Sequence, residues 1–245
     1  MLNTKSFIKR VLPAPLRSAW VRARTRQIQR QYEPLSRSEV FDKVYAVGAW
    51  GGKFAEGAGS SGSGSNGRYA AEYCALMGDL LRVNRVTSVA DLGCGDFKIG
   101  RVLAEMVARY TGVDIAGSVI DWNSRIYSNE HIRFVRADVV SDSLPPAGAA
   151  LVRQVLQHLS NNEIQAALEN ILRTYRLAFV TEHVYIGPDS VPNRDIPHGP
   201  GTRVPFRSGV FVGEPPFNLS AVIVGNIPYA RGEVLRTWAV GRKVC

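Results

Sequence analysis

Apolar and polar positions along this chain follow two rhythms, and the change falls near residue 68. Upstream, Pro13 and Pro15 break the first segment, and a helix is predicted over about 16–31, ended by Pro34. Ser36-Arg37-Ser38-Glu39 reads as a capping box, which opens a short second helix to about residue 45. From 68 onward, helical and strand patterns alternate. Helices are predicted over 68–83, 99–109, 118–127 and 161–174, and strands over 87–91, 110–114, 132–136, 149–153 and 177–181. Short apolar strands separated by helices predict a parallel sheet covered on both faces. After Glu182 the rhythm stops: residues 184–219 hold seven prolines and five glycines, which predicts an irregular insertion. Two last apolar runs, 219–224 and 234–240, flank a loop with Pro228 and Gly232 and read as an antiparallel hairpin. The expected fold is α/β, a doubly wound seven-stranded sheet. It is mostly parallel with a C-terminal antiparallel β-hairpin, helices on both faces and an N-terminal helical arm.

Three domains of organisation follow: a basic arm over 1–35, a helix and Gly/Ser-rich loop over 36–67, and the α/β body over 68–245. The loop runs through Trp50-Gly51-Gly52 to Gly57-Ala58-Gly59-Ser60-Ser61-Gly62-Ser63-Gly64-Ser65, which by composition is a flexible linker.

Charge changes the picture in one place. The net charge is +9, and residues 1–31 carry eight basic side chains and no acidic one, leaving the remainder nearly neutral. Such an arm is expected either to touch an anionic surface or partner, or to be a solvated helix packed on the body. Aromatic residues suited to base stacking are sparse among these charges, which argues against nucleic acid. No apolar stretch approaches the roughly 20 residues of a transmembrane helix. The three cysteines, Cys74, Cys94 and Cys245, form no C-x-x-C pair and fit neither a disulfide framework nor a zinc site. The expected location is the cytoplasm, with the arm able to rest on the inner membrane face. Oligomeric state leaves no signal.

The chemistry concentrates at Asp91-Leu92-Gly93-Cys94-Gly95-Asp96, where a strand ends in an acid and a G-x-G turn. Glycines permit close backbone approach, and the following helix start offers free N–H groups. Asp91 would repel a pyrophosphate and attract an ammonium, and Lys98 stands where a dinucleotide fingerprint has its third glycine. Asp114 ends the next strand at the place where a ribose diol would be gripped. Asp138 follows the third strand and could accept from an adenine amino group, with Val139 lying against the ring.

Together, the segments 89–100, 110–115, 134–138 and 151–159 resemble, in order and spacing, the motifs of class I S-adenosylmethionine-dependent methyltransferases. The resemblance covers about residues 68–183. It implies that Asp91, Gly93 and Gly95, with Cys94 between them, line the methionine moiety. It also implies that Asp114 holds the ribose, with Ile115 against adenine and Asp138 at the adenine edge. The segment at Trp50 with its Gly/Ser run is similar to one preceding the core in bacterial enzymes that modify small molecules or glycans, and so implies a lid. The cofactor expected is S-adenosyl-L-methionine.

Methyl transfer to a hydroxyl needs a base. His158, just past the fourth strand, is the first candidate, and His183 and Glu182, just past the fifth, are the next. All three are expected at the strand ends that face the ligand crevice. Gln154, ending the fourth strand with Arg153, is expected to meet the cofactor; Arg153 could instead pair with Asp138. The absence of an Asn/Asp-Pro-Pro-aromatic element after that strand favours oxygen acceptors, and the lack of acids over 151–159 argues against a metal. The expected activity is O-methylation of a small molecule or sugar, with an RNA methyltransferase or a catalytically silent cofactor-binding scaffold as alternatives.

Overall fold

The computed structural model describes residues 16, 19–20, 23–24, 27, 30–32, 34–51, 60–62 and 67–241. The basic arm therefore lies largely outside the described residues, as does most of the Gly/Ser run. Helix α1 (Arg37–Ala46) starts at Ser36, whose side chain accepts from Glu39 N–H while Glu39 returns the bond to Ser36. Next come α2 (Gly67–Val83), β1 (Ser88–Leu92), α3 (Lys98–Ala104), β2 (Arg109–Asp114), α4 (Gly117–Tyr127) and β3 (Ile132–Arg136). They are followed by β4 (Ala149–Arg153), α5 (Asn161–Thr174), β5 (Leu177–Tyr185), β6 (Ala221–Ala230) and β7 (Glu233–Gly241). A single 3-10 turn, Leu156–His158, links β4 to α5, and a second, Val204–Phe206, lies in the insertion.

The seven strands are ordered β3-β2-β1-β4-β5-β7-β6, parallel except for β7, which runs against both neighbours. The core follows from period-two alternation in strands that bury both faces. On one face Ala150, Val152, Ala178 and Val180 meet Ile164, Leu168 and Ile171 of α5. On the other, Leu151 and Phe179 meet Tyr73, Met77 and Leu81 of α2. Winding reverses between β1 and β4, and the crevice above such a switch point is where open α/β sheets take ligands.

Three elements depart from the pattern reading. Helix α3 stops at Ala104, not near 109, because Ala108 N–H is already bonded to Thr87 O as the chain turns into β2. Strand β5 runs on to Tyr185 because β7 pairs with it along its whole length, from Leu177↔Gly241 to Tyr185↔Glu233. His183 is therefore inside a strand, not beyond it. Strand β6 passes through Pro228 instead of looping there; it is an edge strand, where a missing N–H is tolerated, and the register shifts between Pro228 and Ala230.

Candidate active site

Above the carboxyl ends of β1, β2 and β4 lies a cavity of about 460 Å³. That is within the range of roughly 300–1,000 Å³ usual for small-molecule sites. Asp91, Gly93, Cys94, Asp114, Ile115, Asp138, Val139, Gln154, His158 and His183 all line it.

The glycine turn is built by its backbone. Gly93 and Gly95 both adopt positive φ, +82° and +52°. The amides of Gly93 and Cys94 converge on Val113 O at 2.7 and 3.0 Å, which folds the turn back onto β2. A Cβ at Gly93 would run into Val155 Cγ2, so the close approach of the post-β4 segment depends on this glycine. Gly95 stands just behind the cavity wall: its N–H donates to Asp114 Oδ2 at 3.0 Å, and its carbonyl accepts from Asn123 Nδ2 at 2.8 Å.

Burial sets the acids. Asp91 accepts from the Tyr110 hydroxyl and lies within reach of the Arg153 charge, yet burial still pushes its carboxyl up to about 6. Asp114 is likewise pushed by burial up to about 6, although it accepts from the amides of Ala116 and Gly95. Asp138 binds Arg37 of α1, with Arg37 Nη2 at 2.7 Å and Nε at 2.8 Å from Oδ2; its Oδ1 accepts from Val140 N–H at 2.9 Å. Its cation is thus Arg37, not Arg153, whose guanidinium lies 4.8 Å from the Tyr73 ring centroid.

Ser61 itself sits on the turn. Its N–H donates to Asp96 Oδ2 at 3.0 Å, and its hydroxyl accepts from Asp96 N–H at 2.7 Å. Tyr45 of α1 lies 3.3 Å from the same hydroxyl.

The three base candidates separate. His158 is buried, with Nδ1 2.9 Å from Gly201 O, so that nitrogen carries the proton and Nε2 the lone pair. Burial lowers its pKa to about 4, which keeps the ring neutral at physiological pH. His183 puts Nε2 2.9 Å from Glu233 Oε2, and burial lowers its pKa despite that carboxylate. Glu182 does not face the cavity. Fully buried, it accepts from the amides of Val155, Leu156 and Gln157 at 3.1, 2.9 and 3.1 Å. Alternation along β5 points it away from His183, and its role is to hold the 3-10 turn that carries His158.

The far side of that turn is held by a residue that pattern reading missed. Arg203, fully buried, donates to Leu156 O, Gln157 O and Leu159 O at 3.3, 3.0 and 2.6 Å, and to Asn161 Oδ1 at 3.1 Å. An acid at the amide end and a cation at the carbonyl end match the dipole of the turn. Burial raises Glu182 to about 7 and lowers Arg203 to about 10. Gln154 enters the turn at φ +55°, a left-handed conformation costly for a residue with a side chain, pinned by its N–H to Thr181 O at 2.8 Å. Arg37 and Gln157 also line the cavity and had no local signature; Trp50, read as part of the lid segment, lines it too. Among the described residues no cluster of three His, Cys, Asp or Glu could hold a metal, and no helix is long and apolar enough to cross a membrane.

Strand order and crevice together define the Rossmann-like class I methyltransferase architecture. Residues 89–176 match the model of a methyltransferase domain family. Uncharacterised methyltransferases of Mycobacterium tuberculosis and Mycobacterium bovis are 33% identical over 75 residues, 30% of this chain and 38% of theirs. The match thus spans well under half the length of those relatives. Among solved structures, the chain is similar to the magnesium protoporphyrin IX methyltransferase of Synechocystis with bound S-adenosylmethionine. That likeness has TM-score 0.55 and 13% identity, covering 85% of this chain and 98% of that one. It is also similar to the N-terminal domain of EvdMO1 with bound S-adenosylhomocysteine, at TM-score 0.51 and 15% identity over 85% and 97% of the two chains. At such identities the likeness is one of fold.

Proposed function

We propose that this protein is an S-adenosylmethionine-dependent methyltransferase that methylates a hydroxyl of a small molecule or sugar. The observation that carries the reading is the row of Asp91, Asp114 and Asp138 at the ends of β1, β2 and β3, facing one cavity across the left-handed glycine turn. Asp91 suits an amino-acid ammonium, Asp114 a ribose diol, and Asp138 with Ile115 and Val139 the adenine edge and faces. Gly93 lets Val155 close against the turn, which shapes the wall such a ligand would meet. The solved relatives with S-adenosylmethionine or S-adenosylhomocysteine bound support the same cofactor. Ser61 and α1, tied to Asp96 and Asp138, act as a lid over it.

When bound, the cofactor supplies an activated methyl group, so the chain has to align the acceptor, exclude water and remove a proton. Gln157 Nε2 lies 3.3 Å from His158 Nε2 and donates to it; an acceptor hydroxyl that takes its place would give its proton to that nitrogen. The tautomer fixed by Gly201 O leaves Nε2 free of hydrogen for this step. One observation favours a second reading, in which Glu233 orients His183 as the base.

Calorimetry with S-adenosylhomocysteine and NAD on the wild type and Asp114→Asn tests the cofactor. Binding of the sulfur compound alone, lost in the variant, is expected. Binding of neither compound by folded protein would overturn the reading. Once turnover is observed, His158→Ala is expected to lower kcat about a hundredfold or more; full activity there with loss in His183→Ala would move the role to His183.

A further inference from the structure

The charge of residues 1–31, eight basic side chains and no acid, calls either for a body that covers the arm or for an anionic partner. The described residues of the arm decide between these. Leu16, Ala19, Trp20, Ala23, Arg24 and Arg30 are all helical. Spaced at i, i+3, i+4 and i+7, Leu16, Ala19, Trp20 and Ala23 share one face. Leu16 is 57% exposed, Ala19 and Ala23 are exposed as well, and Trp20 is half-buried. Among the described residues, the apolar clusters of the core begin at Tyr32 and include none of these side chains. The apolar face of the arm is therefore turned away from the body.

The composition of that face describes the partner. Arg24 and Arg30 are exposed, and the Arg24 guanidinium lies 5.4 Å from the Trp20 ring centroid. An indole beside arginines suits the headgroup level of a bilayer, where the ring meets acyl chains and the guanidinium meets phosphate. Nearer the N-terminus, Phe7, Ile8, Val11 and Leu12 alternate with Lys9 and Arg10, the same mixture again. RNA would use the charge but has no use for leucine and alanine, and it wants more stacking aromatics than these. A protein groove wants a longer apolar stripe, whereas this one ends after two turns, where Gln27 follows Ala23 and is exposed. Five arginines among residues 16–31 keep the segment from spanning a bilayer, so the contact is one of surface.

We propose that residues 1–31 hold the protein on an anionic lipid surface, with the face of Leu16, Trp20 and Ala23 entering the headgroup region and the arginines pairing with lipid phosphates. This inference goes beyond the methyltransferase reading and does not depend on it.

The full chain would be sedimented with vesicles of phosphatidylcholine alone and of phosphatidylcholine mixed with phosphatidylglycerol, at low and high salt. Retention on the anionic vesicles only, falling as salt rises, is the expected result. A triple variant, Arg22→Gln, Arg24→Gln and Arg26→Gln, should bind about a hundredfold more weakly, from about fivefold for each charge. A double variant, Leu16→Ser and Trp20→Ser, should lose about tenfold, because the apolar face also contributes. Both variants should keep the Tm of the wild type. A lowered Tm in either would show that the arm packs on the body and would overturn the proposal. So would equal retention on both kinds of vesicle, retention on neither, or binding by the double variant as tight as that of the wild type. Binding of a single-stranded RNA oligonucleotide in preference to anionic vesicles would overturn it too, and would assign the arm to nucleic acid.

Discussion

The two ends of the cavity hold their polar groups in different ways. At the end formed by β1, β2 and β3, Asp114 accepts from the amides of Ala116, two residues on, and Gly95, in the adjacent turn, and Asp138 from that of Val140, two residues on. At the end formed after β4, the 3-10 turn is fixed by Glu182 and Arg203, which lie 25 or more positions further along the chain. The first arrangement needs little beyond local geometry. The second needs two ionised groups kept out of water, an expensive device that becomes favourable only when every donor and acceptor is matched.

The largest effect is expected from breaking the second arrangement. Arg203→Met leaves Glu182 buried without its cation and removes the Arg203 donors to Gln157 O, Leu159 O, Asn161 Oδ1 and Arg194 O, and should cost about 3–5 kcal/mol in urea unfolding. Unchanged stability would show that the turn holds itself. Next comes Gly93→Ala, which combines a positive φ with the collision against Val155. S-adenosylhomocysteine affinity by calorimetry should fall by about a hundredfold, roughly 3 kcal/mol.

A smaller effect follows from pH. Asp91 titrates at about 6, above the roughly 4 of a free carboxyl, so its folded form holds the proton more tightly than the unfolded chain. Its ionisation therefore lowers stability as pH rises from about 4 to about 6, and a bound ammonium reverses that loss. Affinity for S-adenosylhomocysteine should weaken up to about tenfold for each pH unit below 6. Asp91→Asn should bind weakly and lose Asp91's share of that dependence, with Asp114 still titrating. The smallest effect is expected from Arg82→Ala, which removes an exposed ion pair with Asp79 on α2 and should leave the Tm unchanged.

The same contrast explains what could be read from the sequence. Apolar periodicity located all seven strands, and an acid followed by G-x-G located the turn, because these signals are carried by neighbouring residues. The capping box at Ser36 was similarly local. Arg37 was invisible because its partners, Asp138 and Glu163, are 101 and 126 positions away. Glu182 was misassigned because position at a strand end does not reveal which face a side chain takes. That depends on register, and β5 extends four residues past the predicted end only because β7 pairs with it. Residues 184–219 gave no periodicity to read, and Arg203 lies there.

The sheet order has a consequence for synthesis. Strand β7 enters between β5 and β6, so the last described strand is an interior one. While residues 233–241 are still within the ribosome, β5 has a bare edge and β6 has no sheet to join. A nascent chain can assemble β1 to β5 but must wait for its final strand before the sheet closes. During that interval the Val180 and Phe179 faces of β5 are unsealed, and a chaperone would find its binding surface there.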